Sequence, residues 1–437
     1  MKTGFSWGAL FNQMRTGDQS VVDNRSAFQR DYDRIIFSSP FRRLQSKTQV
    51  FPLPEADFIH TRMMHSLEVG SIGRSMGFLV REKLDALVPE LNEKNITHSD
   101  FEGVCAAACL CHDIGNPPFG HSGETAIAHY FKTHPDHLED LDDDKKHDFY
   151  TFDGNAMGFR LLTHTLEGRS LRMGGLGLTR ASLGAFIKYP WTSKNATSKG
   201  KYNCFSGDND VFDDIMSSLG LKSGTGKYFR HPLSFLVEAS DDICYRVMDL
   251  EDGYRLGIVG FSEIENLFRK VIGESFDIKK YSLILEEKEK IAWLRAKTIN
   301  ILIESISDSF VKNYNLIMTG NFSASLIEII KENKELEDIL KIEKEKVYSY
   351  RKVIEIETAG FEIISGLIDA FIKAVLSNDS HSKKILQLLP KTYIYSKDLH
   401  DYKYNSIMNI VQYIAGMTDT FAVNTYKTIK GIELPKY

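Results

Sequence analysis

The sequence predicts an all-α fold, a helical core with additional C-terminal helices. Three observations carry that expectation. Apolar residues recur with helical spacing along most of the chain. Strand-like alternation is rare, and strands do not alternate with helices as a parallel sheet requires. Residues 262–376 are rich in Ile, Leu, Lys and Glu, the composition of long amphipathic helices. With 437 residues and neither an internal repeat nor a clean linker, the simplest division is a core over 1–260 and a helical region over 261–437.

The elements follow in order. Met64, Leu67, Ile72, Met76 and Leu79 return at three- to five-residue steps and predict one helix from about Ile59 to Leu87. Ser99-Asp-Phe-Glu102 reads as a capping box that opens a second helix through Val104, Ala107, Ala108 and Cys111. That helix stops at Gly115-Asn116-Pro117-Pro118, and a third starts near Ser122. Segments 132–150 and 192–210 are polar and read as solvated loops, the second mobile. Pro232 suits the first turn of another helix.

Composition excludes several classes. A hydrophobic content of 42% with 26% charged residues argues against wholesale disorder. A formal net charge of -5 excludes a highly basic nucleic-acid coat, although a local basic groove remains compatible. No apolar run is long enough to span a membrane, and the N-terminus does not resemble a signal peptide. Five irregularly spaced Cys argue against a disulfide framework and fit a reducing cytoplasm. Cys105, Cys109 and Cys111 lie in an Ala-rich helix and read as core-filling thiols rather than a zinc cluster.

Histidine is unevenly placed, with 11 of 13 at or before residue 231. His112-Asp113 follows an apolar helix, so both side chains stand at its negative end, where a cation is favoured. Imidazole with carboxylate suits Mn²⁺, Fe²⁺, Zn²⁺ or Mg²⁺. On the helix after Pro232, about 100° per residue puts Asp241, Tyr245 and Asp249 on one face. Asp242 lines up instead with Glu238 and Arg246 as a surface ion-pair row, which leaves Asp241 as the carboxylate at the rim of the core.

The blocks Arg30–Val50, His60-Thr-Arg-Met-Met-His65, His112-Asp113-Ile-Gly-Asn-Pro-Pro-Phe-Gly-His121 with Glu124, Ala239-Ser-Asp-Asp-Ile-Cys-Tyr245 and Tyr413–Asp419 occur in one order from end to end. In them the chain resembles the HD-domain superfamily of metal-dependent phosphohydrolases. More closely, it resembles the deoxyguanosine triphosphate triphosphohydrolases. The resemblance implies His65, His112, Asp113 and Asp241 as ligands of one divalent ion. Mn²⁺ or Mg²⁺ is the first choice, with Zn²⁺, Fe²⁺, Ni²⁺ or Co²⁺ also compatible. It implies His121 and Glu124 as the catalytic pair, and Arg62, Asn155, Lys188 and Tyr189 as phosphate and sugar contacts. Gln49, Tyr245 and Asp249 would meet the sugar; Tyr348 and Glu357 would meet the base.

The activity implied is cleavage of a dNTP, dGTP first, into a deoxynucleoside and inorganic triphosphate. The C-terminal region would complete the pocket and the contacts of a homo-oligomer, a hexamer in related enzymes, and single-stranded DNA is a further implied partner. A nucleotidase or phosphodiesterase of the same superfamily, or a non-catalytic nucleotide- or nucleic-acid-binding regulator, are the alternatives.

Overall fold

A computed structural model describes residues 4–17, 24–51, 60–164, 175–196, 200–377, 379–394 and 401–433. Ten helices carry the argument: α1 (Ala27–Ile36), α2 (Arg62–Leu84), α3 (His98–Cys111), α4 (His121–Thr133), α5 (Ser234–Arg255), α6 (Glu287–Lys312), α7 (Asn333–Ile342), α8 (Arg351–Leu376), α9 (Tyr402–Ala415) and α10 (Asp419–Ile429). Among the described residues, β structure is confined to isolated bridges, such as Thr48 with Thr61. The all-α expectation holds. None of the described helices is long and apolar enough to cross a membrane.

The closest packing is between α2 and α3. Small residues allow it. A Cβ on Gly77 would come 2.9 Å from the Phe101 carbonyl oxygen, and one on Gly73 would collide with Cys109 Sγ. Around this pair, α1, α5 and α6 build a first apolar core, which contains Phe28, Met76, Phe101, Ile243 and Ile306. A second core joins α4 to α8, α9 and α10 through Ile127, Phe131, Ile368, Phe371 and Ile410. Early and late parts of the chain contribute to both.

Local chemistry corrects several boundaries. The capping box of α3 is Thr97 with Asp100, not Ser99 with Glu102. Thr97 is extended and accepts from the Asp100 N–H at 3.2 Å, and Asp100 accepts from the Thr97 N–H at 2.8 Å. Helix α2 starts at Arg62, capped by Thr61; Ile59 lies outside the described residues. Helix α5 begins two residues after Pro232, beyond a turn closed by Ser234 N–H on the His231 carbonyl.

Segment 132–150 is not a loop throughout. It contains a 3₁₀ turn at Pro135–Leu138 and a helix at Asp143–Tyr150, because Phe149 buries in the second core and Asp142 caps the helix. Segment 192–210 is anchored at both ends: Asp148 accepts from Ser193 Oγ at 2.6 Å and from Ser206 Oγ at 2.5 Å. The expectation of mobility falls partly on 197–199, outside the described residues. In 262–376 the helices are separated by turns and a 3₁₀ segment, and one π turn stands at Glu343–Val347.

Candidate active site and metal centre

The chain between α3 and α4 is bent by necessity. Gly115 is pressed against the backbone of Gly154 and Gly158, where no Cβ would fit. Phe119 and Gly120 both have positive φ, +62° and +57°, which is strained for Phe. The strain is held from the C-terminal region. Asp419 Oδ1 accepts from the Phe119 N–H at 3.2 Å, and Asp419 Oδ2 from the Thr48 N–H at 2.9 Å. The buried Lys47 ammonium donates to the carbonyls of Asn116 (2.6 Å) and Ala415 (2.7 Å). Burial, partly countered by Asp419, brings Lys47 down to about 7.

Four side chains converge behind this bend. His65 Nε2 lies 3.1 Å from Asp241 Oδ1; His112 Nε2 lies 3.4 Å from the same oxygen and 3.6 Å from Asp113 Oδ1. Donor atoms of His65, His112 and Asp113 all fall within 4.8 Å of one another. Donors about 2.1 Å from one cation lie roughly 3.0–4.2 Å apart, and the separations of 3.1, 3.4 and 3.6 Å fall in that range, so these donors fit a divalent ion. The second shell fits as well. His112 Nδ1 donates to the Cys109 carbonyl at 2.6 Å, which leaves Nε2 as the lone-pair nitrogen, and that buried atom has no hydrogen-bond partner. Asp113 is oriented by Asn116 Nδ2 at 2.5 Å and Arg62 Nη1 at 2.7 Å.

The electrostatics call for positive charge. Burial opposes ionisation of His112, yet Asp113 and Asp241 overrule it and raise the imidazole to about 9. Burial likewise opposes Asp241, which is nonetheless driven well below its ordinary range by His112 and His65. Cys105, Cys109 and Cys111 are buried packing groups.

His112, Asp113 and Asp241 line a cavity of about 480 Å³ at the seam of the two cores, walled by Phe186 and Val237 on one side and Phe119 on the other. His121 is at its wall, largely exposed, with Nδ1 2.8 Å from Glu124 Oε2. Glu124 is held by the Gly154 N–H on Oε1 (2.7 Å) and by Lys201 Nζ on Oε2 (3.2 Å). Burial works against the Glu124 carboxylate, but His121 and Lys201 hold it down at about 2.

The same cavity is lined by Gln49, Arg62, Asn155, Lys188, Tyr189, Tyr245, Tyr348 and Glu357. Both amide atoms of Gln49 are buried without a partner. Asn155 is tied to its helix cap, donating from Nδ2 to Asp153 Oδ1 at 2.8 Å. Tyr189 is held by Asn203, whose Oδ1 accepts its N–H at 2.7 Å. Glu357 is exposed, at the rim.

Two predicted residues stand one layer back. His65 is behind the wall against Tyr245, and Asp249 is reached through Tyr348, whose hydroxyl donates to Asp249 Oδ2 at 2.8 Å. Arg62 is committed to Asp113 and so orients a candidate ligand as well as facing the cavity.

The expected Glu238–Asp242–Arg246 row forms only in part: Arg246 pairs with Asp242 Oδ1 at 3.6 Å, but Glu238 does not join them. Glu238 turns inward to Lys188 (3.4 Å) and Arg230 (2.8 Å). Asp242 also lines the cavity rather than the surface, and burial lifts it to about 6. Sequence reasoning missed Lys201, which lies in the segment read as a mobile loop; its carbonyl is pinned by Trp191 Nε1 at 2.7 Å. The nearby aromatic residues were the available signal.

Comparison with known proteins agrees with this geometry. Residues 62–150 match the HD domain, and residues 328–428 match the phosphohydrolase-associated domain. The chain is 37% identical to a deoxyguanosinetriphosphate triphosphohydrolase-like protein of Synechocystis, over 98% of this chain and 100% of that protein. It is 36% identical to a protein of the same description from Pseudomonas aeruginosa, over 98% and 99%. It is 30% identical to the deoxyguanosinetriphosphate triphosphohydrolase of Klebsiella pneumoniae, over 93% of this chain and 94% of that protein.

Proposed function

This chain belongs to the deoxyguanosinetriphosphate triphosphohydrolase-like family of HD-domain phosphohydrolases, and from that premise we propose that it cleaves dGTP to deoxyguanosine and inorganic triphosphate. One observation supports the reading above the others: His112, Asp113 and Asp241, with His65 behind them, and the His121–Glu124 pair meet at one cavity that is also lined by Lys188, Lys201 and Arg62.

The cluster would hold a divalent ion, Mn²⁺ or Mg²⁺ by donor type, and when bound this ion supplies Lewis-acid stabilisation of phosphoryl charge. The protein side chains do the rest. Arg62 orients Asp113 and presents positive charge. Lys188 and Lys201 offset the negative charge of the triphosphate. Water adds in line at the α-phosphorus as the bond to the 5′-oxygen breaks, and the leaving oxygen takes up a proton. His121 has its Nδ1 fixed by Glu124, so its other nitrogen is the one presented for proton transfer. Gln49, with its two unpartnered amide atoms, and the Asp249–Tyr348 pair form the sugar end. Glu357 at the rim accepts from guanine. Asn155 and Tyr189 are further phosphate and sugar contacts, and Tyr245 packs below the sugar. A homo-oligomer belongs to the same proposal, with light scattering as its check.

The test is incubation of each dNTP with Mn²⁺ and separation of the products by anion exchange. Inorganic triphosphate, fastest from dGTP, is expected. Orthophosphate or a nucleoside monophosphate as the first product would overturn it.

A further inference from the structure

Beneath the sugar end of the cavity lies a carboxyl group with no partner. Glu343 is fully buried, and neither of its carboxyl oxygens meets a donor. It opens the π turn Glu343–Val347, which closes from the Tyr348 N–H to the Glu343 carbonyl at 2.9 Å. A π turn takes in one residue more than an α turn, so the chain beyond it is displaced by about 100° around the axis. The residue placed by that displacement is Tyr348, donor to Asp249. The turn is pressed onto α5, where a Cβ on Gly253 would come 2.9 Å from Val347 Cγ2. Buried Glu343 is thus packed against α5, the helix that carries Arg246 and Asp249.

Arg246 does not serve as its counter-ion. Its guanidinium reaches the Asp242 carbonyl at 3.3 Å, the Asp242 carboxylate at 3.6 Å and Glu337 at 3.9 Å, and its Nε has no acceptor. An ionised carboxylate with two bare oxygens is strongly disfavoured in such a place. It would also repel Asp249.

We propose that Glu343, held as the neutral acid, is a positioning residue for the Asp249–Tyr348 pair, locking from behind the contact that receives the sugar. Titration of the layer agrees. Burial and the nearby Asp249, opposed by Arg246, push Glu343 well above the usual carboxylate range. Burial pushes Asp249 to about 8 against the Tyr348 hydrogen bond, with Asp252 and Asp241 adding and His60 opposing. Tyr348 and Tyr245 face the layer as neutral phenols, both shifted upward by burial. Both carboxyl groups are raised, so the neutral arrangement is complete at lower pH and fails as pH rises.

The inference rests on Asp249 and Tyr348 being the sugar contacts, and two measurements keep the two claims apart. The first is infrared spectroscopy of the protein without substrate: the C=O band of protonated carboxyls at neutral pH, to which Asp249 also contributes, should lose one component in Glu343→Gln. The second is KM for dGTP and for its 3′-deoxy analogue across neutral to alkaline pH. KM for dGTP in the wild type should rise roughly tenfold on the alkaline side as both carboxyl groups ionise, and Glu343→Gln, in which only Asp249 still ionises, should show a smaller rise. Glu343→Ala should raise KM for dGTP at neutral pH and leave that of the 3′-deoxy analogue unchanged. An unaltered infrared band in Glu343→Gln, or parallel KM profiles in wild type and Glu343→Gln, would overturn the inference. If the wild type releases no triphosphate, the proposed function falls and the infrared band alone decides the role of Glu343.

Discussion

The proposed metal end and the proposed nucleotide end of the cavity are built differently. At the metal end, His65, His112, Asp113 and Asp241 sit on or beside three mutually packed helices, and Arg62, Asn116 and the Cys109 carbonyl orient them. At the nucleotide end, Gln49 precedes a segment outside the described residues, Lys201 follows another, and Glu357 is exposed on α8. The first end is preorganised by protein partners. The second carries unpartnered groups, such as the Gln49 amide, whose complement is a ligand. Catalytic charge needs rigid placement before the substrate arrives; recognition of a substrate is completed by the substrate.

Four variants would break or sharpen that contrast. Asp113→Ala removes a ligand and leaves the buried Arg62 guanidinium unpaired, so bound metal and turnover should both vanish. Elemental analysis of the purified variant checks this, and retained metal with retained activity would end the assignment. His121→Ala leaves the metal cluster untouched. It should lower kcat by about 10²–10⁴ with metal content unchanged, measured by single-turnover kinetics. Lys201→Met belongs to the nucleotide end. It should raise KM for the triphosphate roughly tenfold with a smaller loss of kcat, and an unchanged KM would remove Lys201 from the site.

Glu124→Gln tests stability. Glu124 is depressed from 4.5 to about 2 in the fold, so its stabilisation is fully present above about 4.5 and is lost as pH falls toward 2. The melting temperature of the wild type should exceed that of the variant at neutral pH, and the gap should close on acidification. A gap independent of pH would contradict the charge argument.

The same contrast explains what was legible. His112-Asp113 and His121 with Glu124 are short-range patterns. Residues three apart on a helix share a face, so sequence spacing alone brings Glu124 to His121. Asp241 was placed by helical phase. The ion-pair row kept only Asp242 with Arg246, because phase gives the direction of a side chain but not its neighbours: Lys188 and Arg230, from other segments, take Glu238. Lys201 was lost because a polar stretch with no periodicity looks like solvent-facing chain, whereas Asp148 and Trp191 fasten it inward. Asp419 lay within a recognised block, yet its clamp on Phe119 and Thr48 spans the length of the chain.

The sequence by itself determined the helical class, the candidate metal-binding and catalytic groups, and the turn of glycines and prolines between α3 and α4. These depend on residue type and on neighbours within one helical turn. Only the tertiary structure decided that the cavity opens between two cores, that Lys47 and Asp419 brace its loop, and that Glu343 lies unpartnered behind Tyr348. Such features depend on which distant side chain fills a given volume. Burial and pairing energies are set by that three-dimensional neighbourhood, which no local pattern encodes.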